Sequence, residues 1–167
     1  MSAGRENPLR ILVLCTGNSA RSQMAEALLN QLGQGRIRAE SAGSHPGPRV
    51  NPLAIDALRE HGLAWAGHQP RGLDGLERER WDYVITVCDR ARESCPVFPG
   101  HPVLAHWDMS DPAEVVGDEA ARRAAFREAL LLLRRRIQQM LALPLETLER
   151  PALEARLRAI GEEPTYD

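Results

Sequence analysis

The chain has 167 residues, enough for one domain with a core of its own. Apolar residues make up 43% and charged residues 26%, which excludes a disordered or fibrous chain. The net charge of −2 gives no electrostatic reason for a nucleic acid or an anionic membrane as partner. The start, Met1 to Arg10, lacks the basic and apolar run of a signal peptide, and no stretch approaches a membrane span. The expected location is the cytoplasm, where three cysteines serve as buried thiols, metal ligands or redox groups, not as a structural disulfide framework.

In chain order, Arg10 to Cys15 is a short apolar run with the character of a strand buried on both faces. After a turn at Gly17 and Asn18, apolar residues recur at helical spacing through Ala20, Met24, Ala27, Leu28 and Leu32, with Gly33 as the stop. Arg36 to Ser41 is a weaker second strand ending at Gly43. Asn51-Pro52 starts a helix that turns Ala54, Ile55 and Leu58 inward and stops at Gly62. Residues 63 to 72 form a loop, and Leu73 to Arg80 a short helix. Tyr83 to Cys88 is the clearest strand, and Val103 to Trp107 a fourth.

The longest helix spans about Asp118 to Leu141. Its inner stripe is Phe126, Leu130, Leu133, Ile137 and Leu141, with Arg134 to Arg136 read as a solvated edge. Pro144 ends it, and Leu153, Leu157 and Ile160 mark a further amphipathic helix to cover the body or a partner subunit. Alternating strands and helices imply an α/β fold with a parallel sheet. Ligands then sit beyond the carboxyl ends of the strands, where Cys15 and Cys88 both fall.

The strand-to-helix loop Cys15-Thr16-Gly17-Asn18-Ser19-Ala20-Arg21-Ser22 suits oxyanion binding. A tight loop entering a helix turns successive N–H groups toward one point, and the helix dipole adds positive potential there. Gly17 and Asn18 are able to take the left-handed backbone such a turn needs. Arg21 completes the cradle with a bidentate grip, the field favours Cys15 as an attacking thiolate, and Ser22 can donate to that sulfur. A buried strand-end cysteine ahead of an unrelated helix would not require glycine, arginine and serine together.

The stretch from Val13 to Ala27 resembles the arsenate reductases built on the low-molecular-weight protein tyrosine phosphatase fold, and the resemblance runs to about Leu141. Gln23-Met24-Ala25-Glu26 is similar to the reductase branch, since the phosphatases usually have proline at position 23. The resemblance implies a three-layer α/β sandwich with a four-stranded parallel sheet. It divides the chain into a phosphatase-like arsenate reductase domain, 1–143, and a C-terminal helical extension, 144–167.

Phosphate, sulfate and arsenate share a tetrahedral shape, so the loop alone does not separate hydrolysis from reduction. Electron counting does: reducing arsenate to arsenite takes two electrons, which thiols supply by ending as a disulfide. Cys88 and Cys95 resemble the second and third cysteines of the thioredoxin-coupled reductases. That resemblance implies that Cys15 forms the arsenic adduct, Cys88 attacks Cys15, and Cys95 closes an 88–95 disulfide. Thioredoxin, glutaredoxin or another thiol system would then reduce it. A disulfide needs Cα atoms roughly 4.4–6.8 Å apart, whereas seven helical steps span about 10.5 Å. Residues 89–99 are therefore expected to rearrange when the bond forms.

Alternatively, Cys88 is a core thiol, or Cys88, Cys95, His101 and His106 bind zinc, although Cys-x6-Cys is wide for a zinc knuckle. The histidines otherwise read as surface or packing residues. Asp111-Pro112 resembles the general-acid loop of this fold, which makes Asp111 the proton donor and Asp108 the fallback. Asp-Pro is equally a helix cap. Ala113 stands where the phosphatases place an aromatic residue, which favours a small inorganic substrate.

Asn18, Glu26 and Ser41 match positions that hold the loop or a potassium ion in some reductases. Arg71, read as facing solvent or drawing anions, falls where an acidic residue is expected, which speaks against potassium; no cofactor is otherwise implied. Two functions compete with arsenate reduction: a low-molecular-weight protein tyrosine phosphatase acting on phosphoesters, and a non-catalytic oxyanion sensor.

Overall fold

The apolar runs of the chain become four parallel strands: β1 (Leu9–Cys15), β2 (Ile37–Gly43), β3 (Tyr83–Thr86) and β4 (Val103–His106). They lie in the order β2-β1-β3-β4 in a computed structural model that describes residues 7–162. The central position of β1 explains its sequence. Ile11, Leu12, Val13 and Leu14 are all buried, because helices cover both faces. In register, Cys15 lies opposite Gly43 of β2, and Leu14 opposite Thr86 of β3. The carboxyl ends of three strands therefore meet at Cys15.

Five helices complete the layers: α1 (Arg21–Gly33), α2 (Pro52–Glu60), α3 (Asp89–Glu93), α4 (Glu119–Leu141) and α5 (Arg150–Glu162). Local signals set their starts. Asn51 accepts from the Leu53 amide at the head of α2, and Asp118 from that of Ala121 at the head of α4. At the end of α1 the left-handed residue is Gln34 (φ 48°), one position beyond the expected stop at Gly33. Among the described residues no helix is long and apolar enough to cross a membrane.

Three expectations change. The helix expected over Leu73 to Arg80 shrinks to one 3₁₀ turn, Leu76–Arg78, because Gly75 at φ 88° interrupts the backbone before it. Met140, not Leu141, ends the inner stripe of α4. Arg136 is no solvated edge: only 3% of it is exposed. It lies three residues after Leu133 and four before Met140, on the helical face that points inward.

Leu153, Leu157 and Ile160 of α5 join the same core as the sheet. The indole of Trp107 donates to Leu157 O (2.9 Å), and Arg150 donates to Pro102 O (3.1 Å) and to His101 O. The helical extension thus packs on the body of the chain that carries it, along β4 and α4. Leu133 faces this common core with no exposed surface. Leu133→Ala is expected to cost about 2–5 kcal/mol of unfolding free energy, read as a lower urea midpoint at unchanged slope.

Candidate active site

Cys15 ends β1 and Arg21 opens α1, so residues 16–20 must turn the chain in one short loop. The left-handed residue is Asn18 (φ 52°); Gly17, also expected to take that conformation, has no positive φ. Asparagine serves here because its side chain locks the turn. Its Nδ2 donates to Ser22 Oγ (2.7 Å) and Ser41 Oγ (2.9 Å), and its Oδ1 accepts from the Arg71 amide (3.1 Å). Its backbone N–H donates to Cys15 Sγ (3.2 Å).

The carbonyls of Cys15, Thr16, Gly17 and Ser19 accept from the amides of Ser44, His45, Gly47 and Asn51, at 2.8–3.0 Å. With its carbonyls drawn outward, the loop leaves its amides available on the side where Asn18 N–H meets the sulfur, an arrangement suited to an oxyanion. Gly43 allows this close approach. A Cβ there would stand 2.5 Å from Thr16 O and 2.9 Å from Asn18 N.

A buried polar chain runs back from the nucleophile. Cys15 Sγ lies 2.9 Å from Ser22 Oγ. Ser22 accepts from Asn18 and keeps its own proton available for the sulfur. Ser41 accepts from Asn18 and donates to Glu26 Oε1 (3.0 Å), which also meets His68 Nε2 (3.0 Å). Gln23 Nε2 donates to Asn18 O (3.1 Å) and His68 O (2.9 Å), while its Oε1 accepts from the Trp65 indole (3.1 Å).

Trp65 and His68 had not been singled out from the sequence, and Gln23 only as a mark of resemblance. The available signal was a run of polar residues (Ser22, Gln23, Glu26) at the start of a helix that is otherwise buried there. Arg71 keeps 35% of its side chain exposed, in line with a solvent-facing residue, but its guanidinium is paired within the molecule. Its Nε donates to Ser41 O (3.1 Å) and its NH2 to Glu40 Oε1 (2.9 Å). Burial pushes the Glu40 carboxyl up, but hydrogen bonds from Arg71 and Arg10 outweigh it and hold the group below its ordinary value. The Ser41 carbonyl and the Glu26 carboxylate thus meet a guanidinium and an imidazole.

Arg21 is buried, donates NH1 to Met109 O (3.1 Å) and approaches Asp111 with NH2 (3.6 Å). The guanidinium therefore brings the segment after β4 over the loop. Asp111 is at once the cap of the 3₁₀ turn Pro112–Glu114, accepting from the Ala113 amide (2.9 Å), and the carboxylate beside Arg21. Asp108 is exposed and directs its carboxylate toward His106 (4.0 Å). Of the two carboxylates, Asp111 is the one beside Arg21 of the loop.

Cys88 lies two residues past β3, with its Sγ 3.2 Å from Thr16 Oγ1, the side chain next to the nucleophile. It also caps α3, accepting from the Ala91 amide (3.4 Å). His106 spans β3 and α3 through Thr86 Oγ1 (2.7 Å) and Asp89 Oδ1 (3.0 Å). All three cysteines are free, and Cys95 stands apart, half-buried beyond α3 with Sγ 3.7 Å from Pro96 O. Burial pushes its thiol pKa up. Among the described residues the metal-capable group is Asp89, His106 and Asp108, which includes neither cysteine of the zinc alternative.

A cysteine at a strand end, a loop amide and a serine hydroxyl on its sulfur, and an arginine opening the next helix define the cysteine-nucleophile class of oxyanion-binding α/β proteins. Residues 10–152 match the family described as low molecular weight phosphotyrosine protein phosphatase, and the chain belongs to that family. An arsenate reductase of Bacillus subtilis (strain 168) is 36% identical over 117 residues, which cover 70% of this chain and 84% of that protein. A solved structure of an arsenate reductase in the phosphate binding state is similar, with TM-score 0.63 and 27% identity, covering 80% of this chain and 97% of its own. A thioredoxin-dependent arsenate reductase of Corynebacterium glutamicum is similar at TM-score 0.57 and 28% identity, over 80% of this chain and 64% of that one.

Two outcomes follow from this geometry. Gly43→Ala drives a methyl group into the loop backbone and is expected to weaken phosphate binding, measured by calorimetry, by roughly 10²-fold, the scale of a 1 Å misplacement. A thiol whose folded pKa is raised is uncharged, and favours the fold, below the ordinary thiol value; that contribution is lost as pH rises through the folded value. Iodoacetamide should accordingly modify Cys95 more slowly in the native protein than in the urea-unfolded chain, with the gap narrowing toward strongly alkaline pH. Peptide mapping after timed alkylation reads it.

Proposed function

We propose that this chain reduces arsenate to arsenite through a relay of three thiols. The observation that carries the reading is the second sulfur, Cys88 Sγ, hydrogen-bonded to Thr16 beside the nucleophile. A hydrolase has no use for it, whereas a two-electron reduction requires it.

Cys15 attacks arsenic as the thiolate, and one arsenate oxygen leaves as water with a proton from Asp111. Arg21 and the loop amides hold the remaining oxygens. Cys88 then attacks the Cys15 sulfur. The sulfur–arsenic bond breaks with its electron pair left on arsenic, which departs as arsenite, and a 15–88 disulfide remains. Cys95 attacks Cys88, releases Cys15 as thiolate and leaves an 88–95 disulfide. An external dithiol such as thioredoxin, or glutaredoxin or another thiol system, takes the oxidising equivalents. Such a cycle belongs in a reducing compartment, the cytoplasm.

The cap role of Cys88 links chemistry to motion. Forming a bond with Cys95 removes the sulfur from the Ala91 amide, so α3 loses its cap as the disulfide closes. A five-residue helix is a weak barrier to that change. The phosphatase reading retains the same loop. It lacks the aromatic wall after Asp111-Pro112, where Ala113 follows, and gives Cys88 and Cys95 no part in turnover.

Mass-spectrometric disulfide mapping after one turnover with arsenate separates the readings. Wild type should yield an 88–95 disulfide and Cys95→Ser a trapped 15–88 disulfide. Cys15→Ser should lower arsenate reduction by at least roughly 10³-fold. Cys88→Ser and Cys95→Ser variants that sustain multiple turnovers at the wild-type rate would overturn the relay.

A further inference from the structure

The segment that carries Asp111 is fastened from behind by two elements to which the relay assigns no step, Arg136 of α4 and the helix α5. The buried guanidinium of Arg136 donates NH1 to Trp107 O (3.2 Å) and Asp108 O (3.1 Å), and NH2 to Gly161 O (3.2 Å). Trp107 is buried and donates its indole N–H to Leu157 O (2.9 Å). Contact between α5 and the end of β4 is close enough to require glycine. A Cβ at Gly161 would stand 2.7 Å from Trp107 Cδ1 and 2.8 Å from His106 O. Forward of Asp108, the Met109 amide donates to Val87 O (3.1 Å), its carbonyl accepts from Arg21, and Asp111 meets the same guanidinium. Hydrogen bonds at both ends of the short backbone stretch from Trp107 to Met109 thus link α5 to Arg21 of the oxyanion loop. Most of α5 lies beyond residue 152, where the family match ends.

We propose that Arg136 and α5 brace the acid segment, so that the C-terminal helix sets the reach of Asp111 toward the bound oxyanion. Arg136 is a positioning residue here, and the inference rests on the reading of Asp111 as the acid. The planar fork of arginine reaches carbonyls on two separate segments at once, which a lysine ammonium does not reproduce. Releasing either segment leaves buried carbonyls without donors, so the Trp107-to-Asp111 stretch must shift to regain partners. Proton transfer depends steeply on that placement, whereas anion capture rests mainly on the loop amides that Asn18 fixes.

The test measures single-turnover arsenate reduction by the full chain, reduced beforehand, for Arg136→Lys and Gly161→Val, alone and combined with Asp111→Asn. Each single variant is expected to lower the saturating rate by about tenfold with little change in the arsenate concentration for half-saturation. In the Asp111→Asn background the same substitutions should change the rate little, because their effect passes through the missing carboxyl. The brace is overturned if neither variant slows the reaction, or if the full loss persists without Asp111. Asp111→Asn turning over like wild type overturns the acid reading itself, and the brace with it. Should Gly161→Val fail to fold, Arg136→Lys and Trp107→Phe decide the question by the same criteria.

Discussion

The site is organised around Asn18, whose left-handed backbone is locked by its own buried side chain. Asn18 sits in the left-handed region, where a side chain ordinarily costs energy. Its buried amide recovers that cost by hydrogen bonds to Ser22 and Ser41, and its carbonyl oxygen takes the Arg71 amide. The turn aims the Asn18 N–H at Cys15 Sγ, and the same side chain holds Ser22 Oγ beside that sulfur. One buried amide therefore shapes the loop and prepares the nucleophile.

From that point the structure reads outward in two directions. On one side the polar chain through Ser41, Glu26 and His68 anchors the turn to β2 and to the loop before β3. Satisfied buried networks of this kind are rigid, because breaking any member strands a polar group away from water. On the other side Arg21 gathers the segment after β4, and Cys88 reaches Thr16 from the end of β3. The parallel register makes both possible, since the carboxyl ends of β1, β2 and β3 share one edge of the sheet.

Rigidity at the loop contrasts with the elements that carry the second and third thiols. Cys88 caps a helix of only five residues, and Cys95 lies beyond its end, partly covered and with its thiol pKa raised by burial. The oxyanion site is held by many buried bonds, while the relay segment is held by few. That division suits a chemistry in which the first sulfur stays in place and the other two must change partners.

Much of this was legible in the amino-acid order. The buried run at β1, the Asn51 and Asp118 caps, and the cysteine and arginine around the turn follow from local periodicity and local chemistry, so they can be read without a fold. Reading Cys15, Cys88 and Cys95 as a relay needed only the electron count together with resemblance. What the local order does not show is pairing across long separations. Arg136 looked like one of three solvated arginines until the face of α4 placed its guanidinium against the carbonyls of Trp107, Asp108 and Gly161. Arg71 and His68 likewise find their partners far off in the chain, at Ser41 and Glu26. Sequence by itself determined which chemistry the loop can perform, because amide, thiol and guanidinium are properties of residues. Which polar groups are buried, and which carbonyl each one meets, was decided only by tertiary structure, because desolvation and hydrogen-bond pairing exist only once distant segments are packed together.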